Sequence, residues 1–161
     1  MPSYAGNPSP YRYEYAWHDY LDPASPAAGA NLSVAVPGEW GLIVVAAIAT
    51  LTTDGNAANR LLSLDYIGGR GATYVRNAAG KVETATNGGR TYVWSANRTV
   101  SESVANTPVF VPLLEWQLDP GMSVRFTIDN VQAGDQLSAV HLVVVKVPTG
   151  AGAQDDAAGG S

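Results

Sequence analysis

The sequence predicts an all-β protein: a two-sheet antiparallel β-sandwich of jelly-roll type, with about eight strands, an extended N-terminal arm and a flexible C-terminal tail. Three observations carry this. Short stretches of alternating apolar and polar residues recur along the chain, the period of half-buried strands. Turns rich in Gly, Pro, Asn and Asp separate them. No segment shows the 3.6-residue period of an amphipathic helix, and many short strands between turns make a sandwich or a barrel.

Residues 1–30 read as an arm. They hold six of the fourteen aromatics (Tyr4, Tyr11, Tyr13, Tyr15, Trp17 and Tyr20) and five of the ten prolines. A segment this rich in proline does not fold alone, and one this aromatic needs a host for its apolar surface. Tyr11-Arg12-Tyr13-Glu14-Tyr15 alternates, so an extended strand puts all three tyrosines on one face. It fits an edge strand on its own sheet or an arm laid on a neighbour. Pro23, Pro26 and Ala27-Ala28-Gly29-Ala30 then read as a linker.

The sandwich spans residues 31–148. Asn31–Val36 alternates and stops at Pro37-Gly38. Trp40–Thr53 is the strongest element. Its run Leu42–Ala49 is apolar on both faces, and its β-branched content favours a central strand over a buried helix. Asp54-Gly55-Asn56 is a turn, and Asn59–Ile67 alternates again, so residues 41–67 read as one long β-hairpin. Short strands are expected near Thr73–Arg76, Lys81–Thr86 and Tyr92–Ser95, and an irregular one over Val109–Leu118, interrupted by Pro112. Ser123–Asp129 points Val124, Phe126 and Ile128 inward, and Leu137–Val147 is apolar enough to be central. Residues 149–161 are of low complexity and read as a tail.

Composition narrows the function. The 161-residue chain has no cysteine, which excludes disulfides, thiolate metal sites and cysteine nucleophiles. Charged residues are 14%, below the ~25% of typical soluble domains. The net charge of −5 resides mostly in the termini, and no basic patch exists, which argues against nucleic acid as a partner. The longest apolar run has eight residues, against the ~20 of a membrane-spanning helix. Met1-Pro2-Ser3-Tyr4 has neither a basic start nor an apolar run, so synthesis in the cytosol without an export signal is expected.

Catalytic equipment is sparse. His141 lies on the last strand and reads as a hydrogen-bonded or half-exposed strand residue. His18 lies in the arm. No nucleophile elbow or His-Glu-x-x-His is present. Glu102, Glu115 and Asp129 are separated by turns, a poor basis for a carboxylate pair. Asp54-Gly55-Asn56 and Asp129-Asn130 lack the ligand number of a calcium loop. Arg70-Gly71 and Gly89-Arg90 lack the strand–loop–helix context of a phosphate loop. Trp40, Trp94 and Trp116 are candidates for a sugar platform, although tryptophan in a β-protein is more often core. The expectation is a protein that is not an enzyme and has no cofactor and no metal.

Two stretches carry a resemblance. Thr50-Leu51-Thr52-Thr53-Asp54-Gly55-Asn56-Ala57-Ala58-Asn59-Arg60 leads into an alternating strand. Ile128-Asp129-Asn130-Val131-Gln132-Ala133-Gly134-Asp135-Gln136-Leu137-Ser138 leads into the last one, with Leu118-Asp119-Pro120-Gly121 between them. This pairing resembles small virion structural proteins of tailed bacteriophages, over roughly residues 40–67 and 113–147. The resemblance implies a capsid decoration, or minor capsid, protein that binds and stabilises the phage head. Such a protein sits on the capsid surface of the virion after synthesis in the host cytoplasm. Its partners would be the major capsid protein and further copies of itself, a trimer being favoured. The aromatic arm lies outside the resemblance. Arg60 is placed to pair with Asp54 or Asp135, either as a turn-locking ion pair or as a contact to the capsid lattice. The alternatives are a tail or baseplate component, and a carbohydrate-binding module whose partner is a glycan.

Overall fold

A computed structural model describes residues 16–79, 82–84, 86–96 and 108–149. Ten strands run through them: β1 (Trp17–Leu21), β2 (Leu32–Ala35), β3 (Trp40–Thr52), β4 (Leu61–Ile67), β5 (Thr73–Ala78), β6 (Gly89–Ser95), β7 (Val109–Pro112), β8 (Gln117–Leu118), β9 (Ser123–Asp129) and β10 (Gln136–Pro148). One sheet has the order β1-β10-β3-β6-β7, with β8 also on β3. The other has the order β2-β9-β4-β5. Among the described residues no helix is long and apolar enough to cross a membrane.

The pairings are nested. β4 pairs with β5, β3 with β6, β2 with β9 and β1 with β10. That is one long hairpin, and rolling it brings β10 against β3 and β9 against β4. The result is the jelly roll that the strand pattern predicts, with β7 and β8 as two short additions between β6 and β9. One pair departs from the antiparallel rule, since β7 runs parallel to β6.

The core lies between the sheets. β9 delivers Val124, Phe126 and Ile128 inward, as its alternation requires. Phe126 meets Trp94 edge-on with ring centroids 5.7 Å apart, and Tyr92 stacks on Trp94 at 6.0 Å. Trp94 satisfies its indole N–H on the Asn77 carbonyl at 2.9 Å.

Several expectations are corrected. Residues 41–67 are not a hairpin: β3 and β4 belong to different sheets, and the loop between them crosses the sandwich. The run Leu42–Ala49 conceals a β-bulge at Val45, because Val143↔Ala46 is followed by Val144↔Val44. Inward residues therefore switch from Leu42 and Val44 to Ala47, Ala49 and Leu51. The lost alternation marks that phase change as much as burial on two faces. Near Lys81–Thr86 the described residues form no strand, only a bridge between Arg60 and Glu83. The irregular strand over Val109–Leu118 is two strands, β7 ending at Pro112 and β8.

The arm boundary at residue 30 also moves. Trp17–Leu21 is an edge strand on β10. The stretch after it is docked: Gly29 N–H donates to the Asp135 carbonyl at 2.7 Å, Gln136 Nε2 to the Pro26 carbonyl at 2.9 Å, and Ile128 N–H to Asn31 Oδ1 at 2.9 Å. The earlier part of the arm, with Tyr4, Tyr11, Tyr13 and Tyr15, lies outside the described residues, as does the tail over 150–161.

Candidate functional site

The polar centre of the fold is built on Arg60, which is 0% exposed at the crossing between the sheets. Its Nε donates to Asp135 Oδ2 at 2.9 Å, and its Nη2 to Asp135 Oδ1 at 2.8 Å and to Asp54 Oδ1 at 2.7 Å. Arg60 thus holds both aspartates at once, the first of them by a two-pronged fork. Four backbone N–H groups and the Asn56 side-chain amide fill the remaining lone pairs. Asp135 accepts from Asp54 N at 3.0 Å and Gln132 N at 2.7 Å. Asp54 accepts from Asn56 N at 2.9 Å, Asn56 Nδ2 at 2.8 Å and Gly134 N at 3.2 Å. Every carboxylate oxygen has two donors. This chemistry ties the β3–β4 loop to the β9–β10 loop and leaves no carboxylate face open to a cation.

Electrostatics agree with geometry. The backbone hydrogen bond from Asn56 leads the causes that hold the Asp54 carboxyl below its ordinary value. Burial pushes Asp135 up, but the Arg60 hydrogen bond and the N–H groups of Gln132 and Asp54 more than offset it, so its carboxyl also lies low. Gly134 permits the close approach: a Cβ there would stand 2.8 Å from the Asp54 Cβ. A second ion pair that sequence reasoning missed, Arg90 Nε to Glu83 at 2.7 Å, lies close by. Glu83 is also the backbone partner of Arg60, with Arg60 N–H to Glu83 O at 3.1 Å and Glu83 N–H to Arg60 O at 2.7 Å. The single signal for it was the isolated Arg90 in a glycine-rich stretch.

No family model matches the chain, and no curated protein matches it. A solved structure of infectious bursal disease virus, Gt strain, is similar to it with a TM-score of 0.33 and 14% sequence identity. That likeness covers 83% of this chain, and this chain spans 30% of the length of that one.

The two motifs singled out in the sequence meet in space. Asp54 and Arg60 come from the first and Asp135 from the second, and together they make the brace. The other chemistry-bearing residues stay apart. His141 is exposed on β10 with its Nδ1 2.6 Å from Asp22 Oδ1. His18 is exposed on β1. Asp129 is salt-bridged to Arg76 at 2.5 Å. Glu102 lies outside the described residues. Two buried phenols complete the inventory. Burial pushes the Tyr66 hydroxyl above its ordinary value, and it donates to the Leu114 carbonyl at 2.8 Å. Burial pushes Tyr92 up to about 12. Among the described residues no three His, Asp or Glu side chains gather as a metal site would require.

The aromatic candidates divide. Trp94 is 0% exposed in the core and is removed from any sugar platform. Trp17 and Trp40 meet at 4.5 Å with their planes 74° apart, so they do not offer one flat surface. Of the arm aromatics that are described, Trp17 is 42% exposed and Tyr20 is 72% exposed. Both sit on β1, whose second edge is unpaired among the described residues.

Proposed function

We propose that the chain is a non-enzymatic virion structural protein, most specifically a capsid decoration (minor capsid) protein that binds and stabilises the head of a tailed bacteriophage. The observation that carries this reading is the edge strand β1. It bears exposed Trp17 and Tyr20 and continues upstream into the alternating tyrosines of residues 11–15. An open edge with aromatic surface is a template for another chain, and a protein acting alone blunts such an edge. The phage-like motifs support it by their resemblance alone, since their three charged residues form an internal, turn-locking brace and not a contact to the capsid lattice. On this reading the protein works through many weak, repeated contacts to the major capsid protein and to its own copies, with a trimer as the favoured oligomer.

Purified virions test it. The chain should be present on the head in a copy number that follows the head lattice. Heads lacking it should release their genome at a lower temperature, and added protein should restore them. A chain confined to the tail in a few copies is instead a tail or baseplate component, and absence from virions overturns both readings.

A further inference from the structure

The loop between β7 and β8 is fastened at its backbone and left open at its side chains. Leu113 is buried, and its N–H donates to the Ser95 carbonyl at 3.2 Å. The next residue is tied to the opposite sheet. Leu114 N–H donates to Asn77 Oδ1 at 3.1 Å, and its carbonyl accepts from the Tyr66 hydroxyl at 2.8 Å. Both holders are buried, and Asn77 is itself fixed by a bond from its Nδ2 to the Leu64 carbonyl at 3.1 Å. The side chains presented by this frame are Leu114, 50% exposed, Glu115, exposed, and Trp116, 48% exposed. Single exposed apolar residues are common on protein surfaces. A leucine and a tryptophan standing half in water on a backbone held by two buried polar side chains have the construction of binding anchors. The entropy of ordering the loop is lost before a partner arrives.

Charge selects what meets these anchors. Among the described residues, the carboxylates without a cationic partner are Glu39, Glu115 and Asp119, all exposed. Every other described carboxylate stands against an arginine, a lysine or a histidine. The unpaired ones bracket β8. Leu118 pairs with Leu42, so Asp119 leaves β8 at the end where Glu39 leads into β3, and Glu115 lies just ahead of Gln117 at the other end. A second copy is a poor fit, because each copy brings the same net charge of −5. Unpaired carboxylates around an exposed leucine and tryptophan match a segment that carries lysine or arginine beside apolar residues. We propose that the β7–β8 loop binds a basic, apolar segment of a partner protein, with Leu114 and Trp116 as anchors and Glu115, Asp119 and Glu39 around them. The inference rests on the virion reading above, under which that partner is the major capsid protein, and adds to it the contact surface and the partner's chemistry.

Heads and tails purified without this chain test it, each incubated separately with the full chain and the bound fraction measured by cosedimentation. Unmodified protein should bind heads, and less so as salt is raised. Trp116→Ala should weaken binding roughly thirty-fold or more, as loss of an aromatic anchor does. Glu115→Lys should weaken it roughly ten-fold or more through like-charge repulsion. Ser33→Lys, exposed on the opposite sheet, should leave it unchanged. All three variants should melt close to the unmodified temperature, since each changes an exposed side chain. Head binding by Trp116→Ala and Glu115→Lys as tight as by the unmodified protein, or an equal loss with Ser33→Lys, overturns this inference alone. Binding to tails and not heads, lost in Trp116→Ala, removes the head reading alone. Binding to neither, or self-association that Trp116→Ala abolishes in place of head binding, overturns both.

Discussion

At the scale of single residues, Arg60 decides most. It is buried, and it is the shared partner of two carboxylates, Asp54 six positions before it and Asp135 75 positions after it. Truncation to Met would keep volume but strand Asp135 and Asp54, so Arg60→Met should cost about 3–5 kcal/mol of stability, measured by denaturant unfolding. The pH dependence follows from the same contacts. Both carboxyls lie below their ordinary value of 3.8 in the folded state. A depressed folded-state value means that the stabilisation is complete above the unfolded-state value and is lost as pH falls through the folded one. The native melting temperature should therefore fall below about pH 4, and the gap between native protein and Arg60→Met should narrow there. Equal gaps at pH 7 and pH 3 would remove the brace from the account. The pairing of Arg60 with Asp54 or Asp135 was legible because both aspartates sit in turns. Its double character was not, because the two turns meet only after the chain rolls.

At the scale of elements, bulges decide where the period of two survives along a strand. β9 alternates without interruption, so its inward residues are legible in the sequence. β3 changes phase at Val45, so its apolar run reads as uniform, and the turn at Asp54-Gly55-Asn56 suggests a hairpin where the chain crosses to the other sheet. β1 lies inside the stretch that aromatic and proline content marks as an arm, and its pairing partner is more than a hundred residues away, beyond the reach of any local pattern. A second bulge, in β10 between Ser138 and His141, puts Ala139 at φ +47°. A left-handed conformation costs an L-residue roughly 1–2 kcal/mol, part of which glycine gives back as chain entropy. Ala139 is exposed and loses little by truncation. Ala139→Gly should therefore stabilise the protein by about 0.5–1 kcal/mol, seen as a rise in the denaturant midpoint at constant slope. A lowered midpoint would mean that the bulge is not strained.

At the scale of the whole molecule, the nested pairing dictates an order of assembly. The innermost pair, β4 with β5, is closed by the turn in which Gly68 N–H donates to the Ala72 carbonyl at 2.8 Å. The outermost pair, β1 with β10, joins Trp17 to Lys146 across nearly the whole chain and is fastened by the Asp19–Lys146 ion pair. Loop closure is cheapest for the inner pair and dearest for the outer one. The folding nucleus should hence contain β4, β5 and the β9 strand that packs beside them, while β1 docks after the rate-limiting step. Two substitutions separate these roles. Leu64, 0% exposed on β4, contacts the core from inside the nucleus, and Leu21 packs against the same core from β1. In stopped-flow experiments Leu64→Ala should slow refolding and leave unfolding nearly unchanged. Leu21→Ala should leave refolding nearly unchanged and speed unfolding. The reverse pattern would place the edge strand in the nucleus. Late docking also bears on assembly: a strand that joins its own sheet last, with exposed aromatics on it and tyrosines before it, is available to another chain for as long as that step takes.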